Sequence, residues 1–223
     1  MSAERFSQLK HAVLEKAFNI CVKCCDSAFN FLFYLPCGGE KSFRRRCTKF
    51  ASLIAGDWIL DVCCGTGELT AVIARQGFTA QLVGVDISES ALEIARTKTQ
   101  HIPVTFLRAS ADNLPFGSSR FDKCFISFGL HHMPEEKRQK TLTEIHRILA
   151  PEGTLCVIDY NLPEGGLRRL AAIAFAKLDE SEEAYKMLKN GSLVREIKQA
   201  GFEIERRDLT CQGIIQLLEV VKK

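Results

Sequence analysis

The sequence predicts an α/β fold, a doubly wound and mostly parallel sheet of seven strands that ends in an antiparallel hairpin and is preceded by helices. Three observations carry that reading. Between Trp58 and Ile158, apolar strand-like runs alternate with amphipathic helix-like runs, the pattern of βαβ units. A Gly-x-Gly turn joins the first of those strands to the first helix, and an acid closes the second strand. After Gly201 the alternation stops and two strand-like runs follow one another directly.

Taken in order, residues 4–25 alternate charged and apolar positions at helical spacing. The aromatic cluster Phe29, Phe31, Phe33 and Tyr34 follows, broken by Pro36 and Gly38-Gly39. A second amphipathic helix is expected over about residues 40–53. Strands are expected at residues 58–62, 81–85, 104–108, 123–127 and 153–158, with helices at 68–76, 89–99 and 135–149. Ser88 offers its side chain as N-cap to the second of these helices, three residues ahead of Ala91. Residues 167–178 form an amphipathic helix with Leu167, Leu170, Ala171, Ala174, Phe175 and Leu178 on one face and Arg168, Arg169 and Lys177 on another. A helix at 192–200 stops at Gly201, and runs at 202–208 and 213–220 make the hairpin. Neither repeat nor linker interrupts the chain, so one domain is expected over 1–223. Its parts are an N-terminal helical cap (1–55), a cofactor-binding core (56–160), a lid insert (161–190) and a C-terminal helix and hairpin (191–223).

Composition narrows the class. The 223 residues are 46% apolar and 26% charged, ordinary for a globular chain with one sizeable core. Thirty Lys and Arg against 27 Asp and Glu leave a net charge of +3, too little to build a field for nucleic acid, so none is expected as partner. No apolar run approaches the roughly 18 residues that cross a bilayer. The start, Met1-Ser2-Ala3-Glu4-Arg5, lacks an apolar signal segment, and the chain reads as cytoplasmic. The ten cysteines read as reduced thiols. Cys21, Cys24, Cys25, Cys37 and Cys47 hold enough thiolates for zinc, yet the first three lie on a helical pattern and the others lack a second close pair. Their expected role is that of small buried hydrophobes, with no metal.

The chemistry concentrates in Ile59-Leu60-Asp61-Val62-Cys63-Cys64-Gly65-Thr66-Gly67-Glu68. Small residues there let a ligand approach the backbone, and the helix start presents unpaired N–H groups to an anion. Nineteen residues past Gly67 the second strand ends in Asp86, where a carboxylate can accept both hydroxyls of a ribose. A dinucleotide would require a third glycine, and Thr70 stands in its place, which disfavours a nicotinamide dehydrogenase. S-adenosylmethionine, with a single carboxylate and no phosphate, suits the shorter loop.

These residues resemble the class I S-adenosylmethionine-dependent methyltransferases. Asp61-Val62-Cys63-Cys64-Gly65-Thr66-Gly67, Val85-Asp86-Ile87-Ser88 and Ala111-Asp112-Asn113-Leu114-Pro115-Phe116 are similar to their motifs I, post-I and II. The first of these and Ile126-Ser127-Phe128-Gly129-Leu130 are similar in particular to the ubiquinone/menaquinone-biosynthesis C-methyltransferases. The resemblance implies a Rossmann-like methyltransferase fold and S-adenosyl-L-methionine as cofactor. It implies that Asp61, Cys63, Gly65 and Gly67 surround the methionine end, and that Asp86 holds the ribose with Ile87 on the adenine. Ala111 and Asp112 would border the adenine amine, with Ser127 beside the methionine moiety.

Two segments depart from the quinone-pathway pattern: His131-His132-Met133 replaces Arg-Asn after Phe-Gly-Leu, and Asp159-Tyr160-Asn161 replaces Glu-Phe-Ser. Either histidine, His131 or His132, could remove a proton from a phenol or amine. The expectation is therefore methyl transfer to a small acceptor, hydrophobic or lipid-like. Methylation of a phospholipid headgroup amine is the first alternative, and a non-catalytic cofactor- or metal-binding module another. The basic amphipathic helix at 167–178 adds an expectation of peripheral membrane contact.

Overall fold

The computed structural model describes residues 34–77, 81–178 and 182–223. The helix expected at 4–25, with Cys21, Cys24 and Cys25, and Phe29, Phe31 and Phe33 lie outside the described residues. The chain divides into two compact units, Met1–Phe43 and Arg44–Lys223. In the first, a 3-10 turn over Leu35–Cys37 precedes the start of helix α1 (Glu40–Phe50), whose residues from Arg44 on belong to the second, and the rings of Tyr34 and Phe43 pack with centroids 5.0 Å apart.

The second unit carries the seven-stranded sheet. Strands β1 (Trp58–Val62), β2 (Gln81–Asp86), β3 (Thr105–Arg108), β4 (Phe121–Ser127) and β5 (Leu149–Tyr160) are parallel. Strand β7 (Ile215–Lys222) runs antiparallel between β5 and β6 (Phe202–Thr210), so the order is β3-β2-β1-β4-β5-β7-β6. Helices α2 (Glu68–Ala74), α3 (Glu89–Lys98) and α4 (Glu135–Ile148) make the crossovers, followed by α5 (Gly166–Leu178), α6 (Glu182–Asn190) and α7 (Ser192–Gln199). Ile59, Leu60 and Val62 of β1 are all fully buried, which fits a strand covered on both faces. Ser88 caps α3 as expected, accepting from the Ala91 N–H at 3.3 Å.

The sheet order reverses between β1 and β4, and the crevice at their C-terminal ends is where doubly wound sheets bind ligands.

Three expectations need correction. β5 starts at Leu149 rather than at 153, because a register irregularity between Phe121 and Lys123 lets the strand absorb Pro151 and Gly153. A Cβ at Gly153 would sit 3.0 Å from the Ala150 carbonyl, so that position excludes a side chain. Of the apolar face expected on α5, the residues whose side chains are described are exposed. Leu167 and Leu170 are 85% and 64% exposed, whereas Ala172, off that face, is buried, and α5 packs on α6. The side chains of Arg168 and Phe175 lie outside the described residues. Finally, Cys47, Cys63, Cys64, Cys124 and Cys156 are free thiols, but Cys37 and Cys211 are each disulfide-bonded. Sulfur pairing depends on tertiary proximity, which spacing along the chain does not reveal.

α4 and α7 are clamped by a buried ion pair. Arg138 Nε and Nη2 donate to the two oxygens of Glu196 at 2.6 and 2.9 Å, with the carboxylate fully buried. Arg138 Nη1 also donates to the Met133 carbonyl at 2.5 Å. Removing one partner strands the other charge, so Glu196→Ala should cost about 3–5 kcal/mol of unfolding free energy, read from urea denaturation. A loss below about 1 kcal/mol would show that water reaches the guanidinium.

Candidate active site

The loop after β1 is built from left-handed residues. Cys63 (φ 57°), Gly65 (φ 54°) and Gly67 (φ 75°) turn the chain so that Gly67 becomes the N-cap of α2. A Cβ on Gly67 would lie 2.8 Å from the Ala95 Cβ, so this glycine is required by the packing of the loop against α3. At Gly65 the same direction opens onto free space, leaving the backbone accessible to a ligand. The Gly65 N–H donates to Asp86 Oδ2 at 2.8 Å, and Ser88 N–H donates to Oδ1 at 2.9 Å. Ile87, next along, is 60% exposed, an apolar shelf at the end of β2.

Asp61 lies at the head of this loop and is 1% exposed. Its Oδ2 accepts from the Thr70 hydroxyl at 2.5 Å, while its Oδ1 is buried with no hydrogen-bond partner among the described residues. Burial pushes the Asp61 carboxyl up to about 6, opposed by the Thr70 hydrogen bond and by the nearby Arg44 guanidinium. An orphaned acceptor in an ionisable group is what an ammonium-bearing ligand would satisfy. Arg44, in α1, also donates to the Ser127 hydroxyl at 3.4 Å, which brings a cation beside the ends of β1 and β4. Burial raises the Cys63 and Cys64 thiols well above their ordinary range, so neither serves as a thiolate nucleophile.

Beyond β3, Ala111 is buried and Asp112 is half-buried; the Ser110 hydroxyl donates to its carboxylate and holds it below the usual carboxylate range. Beyond β4, a Cβ on Gly129 would meet the Cys63 Cβ at 2.8 Å, so the β1 and β4 loops touch. A 3-10 turn over Leu130–His132 then presents two histidines of different kinds. His131 is buried and its Nδ1 lies 2.7 Å from Asp159 Oδ1, whereas His132 is exposed. The His131 backbone N–H also donates to Asp159 Oδ2 at 3.3 Å. The rings of His132 and Tyr160 lie 4.0 and 4.6 Å from that of His131, and Phe128 completes the group at 6.2 Å.

Every residue singled out from the sequence therefore lies at a C-terminal strand end of β1, β2, β3 or β4, on one edge of the sheet. Asp159, Tyr160 and Arg44 join the site without having been assigned a role from the sequence. The sequence signal for Asp159 is its departure from the Glu-Phe-Ser pattern; its pairing with His131 follows from the register, with β4 and β5 parallel and Ser127 opposite Ile158. Among the described residues, no group of three or more His, Cys, Asp or Glu is arranged to hold a metal ion.

Because Asp61 is held near pH 6 when folded and titrates near 3.8 when free, its ionised form weakens the folded state fully above pH 6. That burden vanishes as pH falls below 3.8. Asp61→Asn should therefore stabilise the ligand-free protein at pH 7.5 by up to about 3 kcal/mol, at about 1.4 kcal/mol per pH unit. The gain should disappear in urea unfolding near pH 4; a gain independent of pH would contradict it.

Comparison with known proteins agrees with this geometry. The family described as "Methyltransferase domain" matches residues 59–153. An uncharacterized methyltransferase of Synechocystis sp. is 32% identical over 185 residues, covering 83% of this chain and 85% of that protein. A demethylmenaquinone methyltransferase of Clavibacter sepedonicus is 33% identical over 207 residues, covering 84% and 82%. Among solved structures, a SAM dependent methyltransferase from Aquifex aeolicus shares the fold, with TM-score 0.66 and 19% identity over 91% of this chain and 97% of that one. The loop, the terminal acid, the strand order and these relatives agree: the chain belongs to the class I S-adenosylmethionine-dependent methyltransferases.

Proposed function

We propose that this enzyme methylates a small, hydrophobic, hydroxylated ring of the quinol type, with His131 taking the acceptor's O–H proton. The observation that carries the proposal is the buried contact of His131 Nδ1 with Asp159. A carboxylate that accepts a hydrogen bond from Nδ1–H puts the neutral ring's basic lone pair on Nε2 and stabilises the imidazolium once the acceptor's proton arrives. Asp159 is thus a positioning residue and His131 the base. Phe128 and Tyr160 supply ring faces against which a flat acceptor can stack. Deprotonating a quinol raises electron density at the ring oxygen and at the carbon beside it, so one base serves transfer to either atom. The relative from Clavibacter sepedonicus, by its name a demethylmenaquinone methyltransferase, supports the same class of acceptor.

S-adenosylmethionine, when bound, supplies a methyl group already activated by its sulfonium. The chain's own residues bind and align. Asp61 Oδ1 would accept the amino hydrogens, and Arg44 would meet the carboxylate together with the N–H groups of the Cys63-Gly65-Gly67 loop. Asp86 would take the ribose hydroxyls on its remaining lone pairs and Ile87 the adenine face. Asp112, with Ala111 beside it, would accept from the adenine amine, and Ser127 would border the methionine chain.

A second reading, methylation of a phospholipid headgroup amine, draws on the exposed Leu167 and Leu170, which suit a lipid surface. Incubation with methyl-labelled cofactor separates the two: label is expected in a reduced prenylated naphthoquinone and not in phosphatidylethanolamine, and the reverse would overturn the proposal.

His131→Gln should lower turnover about 10²–10⁴-fold, the range of a lost general base. Asp159→Asn should lower turnover less and shift its pH profile, and both variants should bind S-adenosylmethionine within twofold of the parent. Asp86→Ala should do the opposite, weakening the cofactor at least tenfold by calorimetry, as loss of a charge-assisted acceptor costs about 1.5–3 kcal/mol. Full turnover in His131→Gln would sink the assigned base.

A further inference from the structure

A second cavity lies beside the site, at the end of β5 and the start of β7. It measures about 390 Å³, and Arg169 of α5, Lys189 of α6 and Arg207 of β6 line it, with no Asp or Glu among its lining residues. None of the three cations meets a carboxylate among the described residues. Arg207 Nη2 donates to the Asn161 side-chain oxygen at 2.8 Å and Arg169 Nη1 to the Pro163 carbonyl at 3.4 Å, while Lys189 Nζ stands 5.8 Å from the Tyr185 ring centre. The first turn of α7, which starts at Gly191 without a side-chain cap, also borders the cavity and adds the positive end of its dipole. These features together favour an anion.

An independent observation points to more than a bare anion. Gln216 lines the cavity and is only 4% exposed; its Nε2 donates to the Tyr160 carbonyl at 2.9 Å, and its Oε1 has no hydrogen-bond partner among the described residues. A buried amide oxygen left over in a cationic cavity asks for a hydroxyl donor on the same ligand. Leu167 and Leu170 flank Arg169 on α5, both largely exposed. A soluble anion gives no reason for two leucines in water beside an arginine, whereas a bilayer surface does. No helix among the described residues is long and apolar enough to cross a membrane, so contact through this region would be peripheral.

We infer that this cavity binds the headgroup of an anionic phospholipid bearing a hydroxyl donor, of the phosphatidylglycerol type. The phosphate meets Arg169, Lys189, Arg207 and the α7 N-terminus, a headgroup hydroxyl meets Gln216 Oε1, and Leu167 and Leu170 enter the acyl boundary. The inference goes beyond the reading above, because it concerns where the enzyme works and holds whichever acceptor is methylated.

Flotation of the full chain with vesicles tests it. Phosphatidylglycerol vesicles should bind at least tenfold more tightly than phosphatidylcholine vesicles, whose headgroup is zwitterionic and carries no donor. Lys189→Gln with Arg207→Gln should lose at least tenfold on phosphatidylglycerol, and Leu167→Ser with Leu170→Ser severalfold, each with melting temperature and S-adenosylmethionine affinity near the parent's. Arg75→Gln with Lys198→Gln, which removes two exposed cations elsewhere, should lose less than twofold. An equal loss in that control would reduce the effect to general electrostatics, and equal binding to both lipids would show that the anionic headgroup is not recognised; either result overturns the inference. Binding of glycerol phosphate, sensitive to Lys189 and Arg207, with no vesicle binding would assign the cavity to a free phosphate ester and overturn the lipid source. Lost vesicle binding with unchanged turnover of a detergent-solubilised quinol in Lys189→Gln/Arg207→Gln would leave the proposed reaction untouched.

Discussion

The hydrogen bond from the Gly65 backbone to the Asp86 carboxylate holds the site's framework in register. It ties the loop leaving β1 to the last residue of β2, and the backbone repeats the tie twice nearby, from Cys64 N–H to the Val85 carbonyl and from Ala109 N–H to the Asp86 carbonyl. Three strand ends are thereby gathered around one residue. The loop can afford this only because Cys63, Gly65 and Gly67 accept left-handed backbone and because Gly67 leaves room for Ala95. A single aspartate thus acts as structural knot and, in the function proposed above, also as the anchor for a ribose. Its substitution would disturb both, which is why the cofactor-affinity measurement has to be accompanied by a measure of folding.

Much of this was legible in the sequence where the cause is local. The β1 run, the Gly-x-Gly turn, the acid ending β2 and the Ser88 cap depend on residues within a few positions of one another, and the structure has all four. What was not legible depends on contacts between distant segments. His131 and Asp159 stand 28 positions apart and meet because β4 and β5 are parallel neighbours. Each stood out only as a departure from a pattern, and it takes the strand register to turn two departures into one pair. Arg44 reaches Ser127 across 83 positions, from a helix that nothing in the glycine loop announces. The leucines of α5 misled for the converse reason. Helical spacing identifies a face, but neighbouring elements decide which face is covered, and on α5 it is Ala172, off the leucine face, that is buried.

The polar groups of the unit are divided between two tasks. Arg138 and Glu196 neutralise one another and leave no nitrogen or oxygen of the pair without a partner, so their burial fixes how α4 and α7 lie. Asp61 and Gln216 are buried with an oxygen left over, and both lie at the functional edge of the sheet. An incomplete polar group is costly to a folded chain unless something arrives to complete it. On the readings proposed above, the two incomplete oxygens are the ones a ligand would complete.

The place of β7 has a consequence for how the protein is made. β7 is the last strand of the sheet to leave the ribosome, yet it lies inside the sheet, bonded to β5 on one side and β6 on the other. During synthesis β3, β2, β1, β4 and β5 can assemble in turn, but β6 emerges with no partner to join. Until Leu217, Leu218 and Val220 arrive, β5 presents an unpaired apolar edge through Leu155, Val157 and Ile158, which are fully buried in the finished molecule. The nascent chain is therefore an open-edged sheet awaiting its own final strand.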